Sequence, residues 1–86
     1  MTAFSIGVDL GGTNLRVAAV TPEGLRLDHI SQPTRLHAGP QSVLDDMAVA
    51  IRAILERRGG AEPLGIGVGS PGPLELPAGQ IADRLA

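Results

Sequence analysis

The sequence contains no cysteine, tryptophan or tyrosine and only one phenylalanine. Without cysteine there are no disulfides, no thiol catalysis and no thiolate metal sites. A core must therefore be built from aliphatic side chains, and 86 residues allow one small domain at most. No apolar run approaches the roughly 18 residues that a membrane helix needs, and no leader peptide is visible. These absences predict a cytoplasmic protein with no membrane partner.

Positive charge is also scarce. Seven basic residues face nine acidic ones, which leaves a net charge of −2. The basic residues are scattered along the chain, and only Arg57 and Arg58 are adjacent. Electrostatic binding to nucleic acid depends on many basic side chains that neutralise phosphates. We therefore expect no nucleic-acid partner.

Apolar runs separated by turn residues predict a mixed α/β fold. The predicted elements are strands at 4–9, 15–20 and 25–31, a helix at 42–58 and a strand at 64–69. The first strand has little polar alternation, which predicts burial on both faces. Thr21 to Gly24 predicts a turn between the second and third strands. In the third strand, Leu25 and Leu27 are expected on one face.

The predicted helix has both a start and a stop. Ser42 is expected as its N-cap, with Asp45 and Asp46 in the first turn. Apolar residues at three- and four-residue steps form one stripe. The stripe consists of Leu44, Met47, Ala48, Ile51, Ile54 and Leu55. Gly59 and Gly60 are expected to end the helix.

The segment from Asp9 to Arg16, which reads DLGGTNLR, joins the first two predicted strands. A Gly-Gly-Thr turn suits a phosphate, because glycine lets the backbone approach a ligand closely and tolerates positive φ. Its N–H groups and the Thr13 hydroxyl can donate hydrogen bonds to an anion. Asp9 would then lie beside that anion, where a carboxylate is reasonable if Mg²⁺ lies between them. The alternative is an ordinary hairpin with a surface aspartate.

A second glycine-rich segment, Gly67 to Gly72, formally matches the G-x-G-x-x-G pattern of dinucleotide-binding folds. That fingerprint requires a helix to begin within the motif. Pro71 and Pro73 oppose such a helix, so the dinucleotide interpretation is disfavoured. The alternative is a purely structural role, as a rigid turn at the end of a strand.

Taken together, the segments at 9–16 and 64–75 resemble two motifs of the ROK family of repressors and sugar kinases, in order and at about the family's spacing. The resemblance implies the N-terminal part of a ribonuclease H-like (actin-like ATPase) domain: three antiparallel strands, a crossover helix and one parallel strand. It also implies that residues 1–86 are an incomplete N-terminal domain and that a second domain is missing.

The resemblance assigns roles to individual residues. Gly11, Gly12 and Thr13 would wrap the nucleotide phosphates, and Asp9 would hold Mg²⁺ directly or through water. Asn14 replaces the lysine common in ROK kinases and matches the asparagine of hexokinase-type motifs. Arg16 would reach the ATP phosphates, or it is merely an exposed strand charge. The sugar-side loop would be formed by Ser70, Pro71 and Gly72.

The implied parent activity is ATP-dependent phosphorylation of a hexose, glucokinase-like, by a homo-oligomer. The family's catalytic base, sugar contacts, adenosine pocket and zinc-binding segment would lie beyond residue 86. We therefore expect the 86-residue chain alone to be inactive and prone to self-association. One alternative is a ROK repressor, disfavoured because Met1 leaves no room for a preceding helix-turn-helix. Another is a non-catalytic module that binds a partner by strand addition.

Overall fold

A computed structural model describes residues 2–69 as a four-stranded sheet with one α-helix against it. The strands are β1 (Ser5–Leu10), β2 (Asn14–Val20), β3 (Arg26–Pro33) and β4 (Ile66–Gly69), in the order β3-β2-β1-β4. A 3₁₀ turn (Leu36–Ala38) precedes the helix α1 (Pro40–Arg57). β2 pairs antiparallel with β1 and β3, and β4 pairs parallel with β1. The predicted three-stranded meander, crossover helix and parallel fourth strand are confirmed.

The core lies between α1 and one face of the sheet. Every second residue of β1 and β2 is buried there, together with the apolar stripe of α1. The core comprises Phe4, Ile6, Val8, Leu10, Leu15, Val17, Ala19, Val43, Leu44, Met47, Ala50, Ile51 and Ile54. The other face of β1 carries Gly7 and Asp9, which are exposed. The prediction that this strand is buried on both faces is therefore wrong, because the only α-helix within residues 2–69 covers one face.

The helix begins two residues earlier than predicted. Its N-cap is Gly39, at a φ of +93°, and Pro40 is the first helical residue. Proline suits this position because its φ is already helical and its missing N–H would have had no partner there. Ser42 is consequently inside the helix rather than its cap, and no acidic residue lies in the first turn. The predictions for Ser42, Asp45 and Asp46 as N-terminal residues are wrong.

The C-terminal end of α1 confirms the predicted glycine stop. Gly59 and Gly60 both adopt a φ of +73°, which residues with a side chain rarely adopt. The Gly60 N–H donates to the Leu55 carbonyl at 2.9 Å and so satisfies one of the last carbonyls of the helix. Within residues 2–69, no helix combines the length and apolarity needed to cross a membrane.

The turn between β2 and β3 forms as predicted. The Gly24 N–H donates to the Thr21 carbonyl at 2.9 Å, and the Leu25 N–H donates to Thr21 Oγ1 at 3.0 Å. The side chains that follow differ from the prediction. Leu25 precedes β3 and is 64% exposed, whereas Leu27 packs against the core. Leu27 is an extra residue in a bulge opposite Ala19 and Val20, and this shift breaks the expected alternation.

β4 forms an edge of the sheet as the structure describes it. Pairing with β1 begins just before the strand, where the Leu64 N–H donates to the Phe4 carbonyl at 2.8 Å. All four β4 residues are exposed, including the apolar side chains of Ile66 and Val68. Within residues 2–69, β4 has no strand on its other side. An apolar, uncharged edge lacks the usual protection against pairing with another chain.

The open edge leads to a prediction for a polypeptide of these 86 residues alone. We expect it to self-associate, so that its sedimentation coefficient rises with protein concentration. Val68→Lys should reduce association, because an edge lysine opposes strand pairing. Val49→Lys on the exposed side of α1, where Val49 is 63% exposed, is the matched control and should change little. A wild-type polypeptide that sediments as a monomer at every concentration would refute the prediction.

Candidate functional site

The glycine loop, formed by Gly11, Gly12 and Thr13, connects β1 to β2 at one end of the sheet. The Gly11 N–H donates to the Asn14 carbonyl at 2.9 Å and closes the loop tightly. A Cβ on Gly11 would lie only 3.2 Å from the same carbonyl oxygen, so any larger residue would be crowded there. Neither Gly11 nor Gly12 has a positive φ. Neither glycine is therefore required for a positive φ, so this predicted reason for glycine in the loop does not apply.

The outer side of the glycine loop is open. A Cβ added to Gly12 would meet no atom within 4 Å. Gly12, Thr13 and Asn14 are all exposed. In the part of the chain that the structure describes, the N–H groups of Gly12 and Thr13 donate to no backbone carbonyl. N–H groups without a backbone acceptor on an accessible loop carry partial positive charge and can donate to an anion.

The inner side of the glycine loop is held by a residue that the sequence analysis did not identify. The Thr34 N–H donates to the Thr13 carbonyl, and Thr34 Oγ1 donates to the Gly11 carbonyl, each at 2.9 Å. Thr34 lies 23 residues after Gly11, just beyond β3. Only the pairing of β3 with β2 brings it to the loop, so no local sequence pattern could have indicated it.

Asp9 and Arg16 face each other across β1 and β2, next to the glycine loop. They are register partners, with Asp9 Oδ2 and Arg16 Nη1 4.0 Å apart. Both side chains are more than 60% exposed. An exposed pair at this distance contributes about 0–1 kcal/mol to stability. Each side chain is therefore available to a ligand at little cost to the fold.

An open concavity of about 370 Å³ lies beside this pair on the exposed face of the sheet. Its floor includes Gly7, Ala18 and Gly67, which share one level of the sheet. Its rim includes Asp9, Arg16, Arg26 and His29. Within residues 2–69, no group of three or more His, Cys, Asp or Glu side chains could hold a metal ion by itself.

The segment after Thr34 is attached to α1 by a forked ion pair. Arg35 Nε and Nη2 donate to the two carboxylate oxygens of Asp46, each at 2.7 Å. The Arg35 guanidinium lowers the pKa of Asp46 below its ordinary value of 3.8, first by hydrogen bonding and then by its charge. Asp46 in turn raises the pKa of Arg35. Asp46 is thus a tether for the loop that carries Thr34.

The lowered pKa of Asp46 predicts a pH-dependent contribution to stability. Because the carboxylate is favoured in the folded state, the contribution is complete above an unfolded-state pKa of about 3.8 and is lost as pH falls through the lower folded value. The difference in thermal midpoint between the wild-type protein and Asp46→Asn should therefore be constant from about pH 7 to about pH 5 and shrink below about pH 4. In an Arg35→Gln background this difference should be small at every pH. A difference that grows on acidification would contradict the assignment.

The structure brings together six of the residues predicted for the site. They are Asp9, Gly11, Gly12, Thr13, Asn14 and Arg16, all at one end of the β1–β2 hairpin. Gly69, the last residue of β4, is the register partner of Asp9. The predicted sugar-side residues Ser70, Pro71 and Gly72 lie outside the described residues.

The chain is similar to known glucokinases over most of its length. It is 36% identical to the glucokinase of Thermotoga maritima over 76 residues and 32% identical to that of Halalkalibacterium halodurans over 78 residues. Each alignment covers 88% of this chain but only 23% and 24% of those proteins. The chain therefore spans about a quarter of the length of these relatives. No protein-family model matches the chain.

The fold also matches the solved structure of a glucokinase. A ROK family glucokinase from Streptomyces griseus, in complex with glucose and AMPPNP, superposes with a TM-score of 0.69 at 27% sequence identity. The match covers 81% of this chain and 21% of that one. The sheet and helix described here thus correspond to the N-terminal part of an actin-like ATPase fold.

Proposed function

We propose that the full-length protein phosphorylates a hexose with ATP. The reason is that this chain corresponds in sequence and fold to the N-terminal part of a ROK-family sugar kinase. In this proposal the glycine loop holds the nucleotide phosphates. The observation that carries it is an open loop whose Gly12 and Thr13 N–H groups have no backbone acceptor within residues 2–69, with Asp9 and Arg16 beside it. The likeness to proteins named as glucokinases makes glucose the first substrate to test.

The residues of the loop act by binding and orienting the phosphates. The N–H groups of Gly12 and Thr13, with the Thr13 hydroxyl, donate hydrogen bonds to phosphate oxygens. Asn14 adds an exposed amide at the start of β2. The Arg16 guanidinium supplies a positive charge and can donate to two phosphate oxygens at once. Such fixed donors stabilise the charge that spreads over the phosphoryl oxygens during transfer.

Asp9 is suited to Mg²⁺ that arrives with ATP. Mg²⁺ is usually bound by one or two carboxylates together with substrate phosphates and water, and a dedicated cage of protein ligands is not required. One exposed carboxylate beside an open phosphate-binding loop fits this requirement. When bound, the ion would neutralise phosphate charge, and Asp9 would hold it directly or through a water molecule.

The remaining parts of the active site belong to the rest of the full-length protein in this proposal. Transfer to a sugar hydroxyl needs a base that accepts the hydroxyl proton. We expect that base, the adenosine pocket, most sugar contacts and a zinc-binding segment beyond residue 86. Ser70, Pro71 and Gly72 are proposed to border the sugar. The full-length protein is expected to be a cytoplasmic homo-oligomer.

The proposal is tested with the purified full-length protein, ATP and Mg²⁺. We expect turnover with glucose in a coupled assay, with one ADP formed per sugar phosphate. Fructose and N-acetylmannosamine are tested in parallel to define the sugar. A repressor or a non-catalytic module would consume no ATP with any sugar, and that result would overturn the proposal.

A further inference from the structure

We infer that Thr34 is a positioning residue for phosphate binding: it fixes the glycine loop in the shape that directs the N–H groups of Gly12 and Thr13 outward. The inference rests on the proposed function of that loop. Thr34 donates its two hydrogen bonds to the Gly11 and Thr13 carbonyls, so its role is to hold the loop, and no contact with the phosphates is assigned to it.

A loop of two glycines and a threonine is intrinsically mobile, because glycine has the widest choice of backbone conformations. Three hydrogen bonds restrict it. Two come from Thr34, to the carbonyls of Gly11 and Thr13, and the third joins the Gly11 N–H to the Asn14 carbonyl, all at 2.9 Å. The carbonyls at both ends of the loop are thereby held on the inner side. The Gly12 and Thr13 N–H groups then need no rearrangement before they meet an anion.

Thr34 is itself held from both sides. Pro33, the last residue of β3, pairs with Asn14 at the start of β2. Arg35 is anchored to α1 through its forked contact with Asp46. Thr34 is therefore held in place by both the sheet and the helix, and its hydrogen bonds position the glycine loop relative to them.

The hydroxyl is the part of this contact that depends on the amino acid. The backbone N–H of residue 34 remains in almost any substitution, but the bond to the Gly11 carbonyl needs a side-chain donor. Thr34→Val keeps the shape and β-branching and removes the donor. Thr34→Ser keeps the donor. Thr21→Val is the matched control, because Thr21 is a buried threonine whose Oγ1 bonds the backbone at the far end of β2.

The experiment uses the full-length protein and measures two quantities for each variant: the KM values for ATP and glucose, and the Kd for AMPPNP by calorimetry. Loss of one hydrogen bond predicts that Thr34→Val raises the KM for ATP and the Kd for AMPPNP about tenfold. The KM for glucose should stay within a factor of about two, since the glycine loop faces the nucleotide. Thr34→Ser should restore wild-type values, and Thr21→Val should leave both nucleotide constants unchanged.

The two readouts separate this inference from the proposed function. If the wild-type protein phosphorylates glucose but Thr34→Val leaves both nucleotide constants unchanged, the inference is wrong and the function stands. If AMPPNP binds in a Thr34-dependent manner without any sugar turnover, the function is wrong and the inference stands. Equal weakening in Thr34→Val and Thr21→Val would show general destabilisation and would also overturn the inference, as would a failure of the wild-type protein to bind AMPPNP.

Discussion

Asp9→Asn in the full-length protein is expected to lower kcat by about 10²- to 10³-fold, the loss typical when one preorganised electrostatic group, such as an oxyanion-hole donor, is removed from an active site. Asparagine has the same shape but cannot supply the negative charge that holds Mg²⁺. The fold should be nearly unaffected, because the Asp9 side chain is 61% exposed and its ion pair with Arg16 spans 4.0 Å. The thermal midpoint should therefore change little.

The matched control for Asp9 is Asp28→Asn. Asp28 is also a strand aspartate in an ion pair, here with Arg57 at 3.1 Å. It lies in β3 and does not line the concavity beside Asp9. We expect Asp28→Asn to retain wild-type kcat. An unchanged kcat for Asp9→Asn at saturating Mg²⁺ and ATP would remove Asp9 from the site.

Gly12→Val is expected to reduce kcat/KM for ATP by about 10²-fold or more, because a displacement of the phosphates by about 1 Å has a cost of that size. The valine side chain would project from the open side of the glycine loop, where an added Cβ meets no protein atom. Gly12 has no positive φ, so the substitution does not strain the backbone. The loss should therefore come from occluded phosphate binding and not from unfolding.

Gly65→Val provides the same substitution at a glycine far from the loop. An added Cβ there also meets open space, and φ is not positive. We expect Gly65→Val to bind AMPPNP like the wild-type protein and Gly12→Val to bind it much more weakly. Equal affinities in the two variants would show that phosphates do not approach Gly12.

The main architecture was predictable because its determinants are local. The apolar stripe of α1, the Gly59-Gly60 stop and the Thr21–Gly24 turn each depend on neighbours within a few residues, and all three form as predicted. The misplaced N-terminus of α1 was a local error, since Gly39 and Pro40 begin the helix before Ser42. The other errors arose where contacts distant in sequence decide the structure. β1 has an exposed face because α1 packs on its other face. Leu25 and Leu27 were expected on one face of the third strand, but the bulge at Leu27 breaks this alternation.

In the candidate site, too, the features fixed by local sequence were predictable and those fixed by distant contacts were not. Asp9, the glycine loop and Arg16 are close in sequence, so their proximity followed from a single hairpin. Thr34 and the Arg35–Asp46 contact join segments far apart in the chain. No spacing rule connects them to the loop, because their positions depend on the pairing of β3 and on the packing of α1 against the sheet.

Amide hydrogen exchange in the full-length protein tests most directly whether the glycine loop holds the phosphates of a nucleotide. Exchange is measured with and without AMPPNP and Mg²⁺. We expect the Gly12 and Thr13 amides, which have no backbone acceptor within residues 2–69, to become strongly protected on nucleotide binding. The Gly24 amide, bonded within the turn at the opposite end of the sheet, should not change. Tight nucleotide binding without protection of Gly12 and Thr13 would contradict the claim.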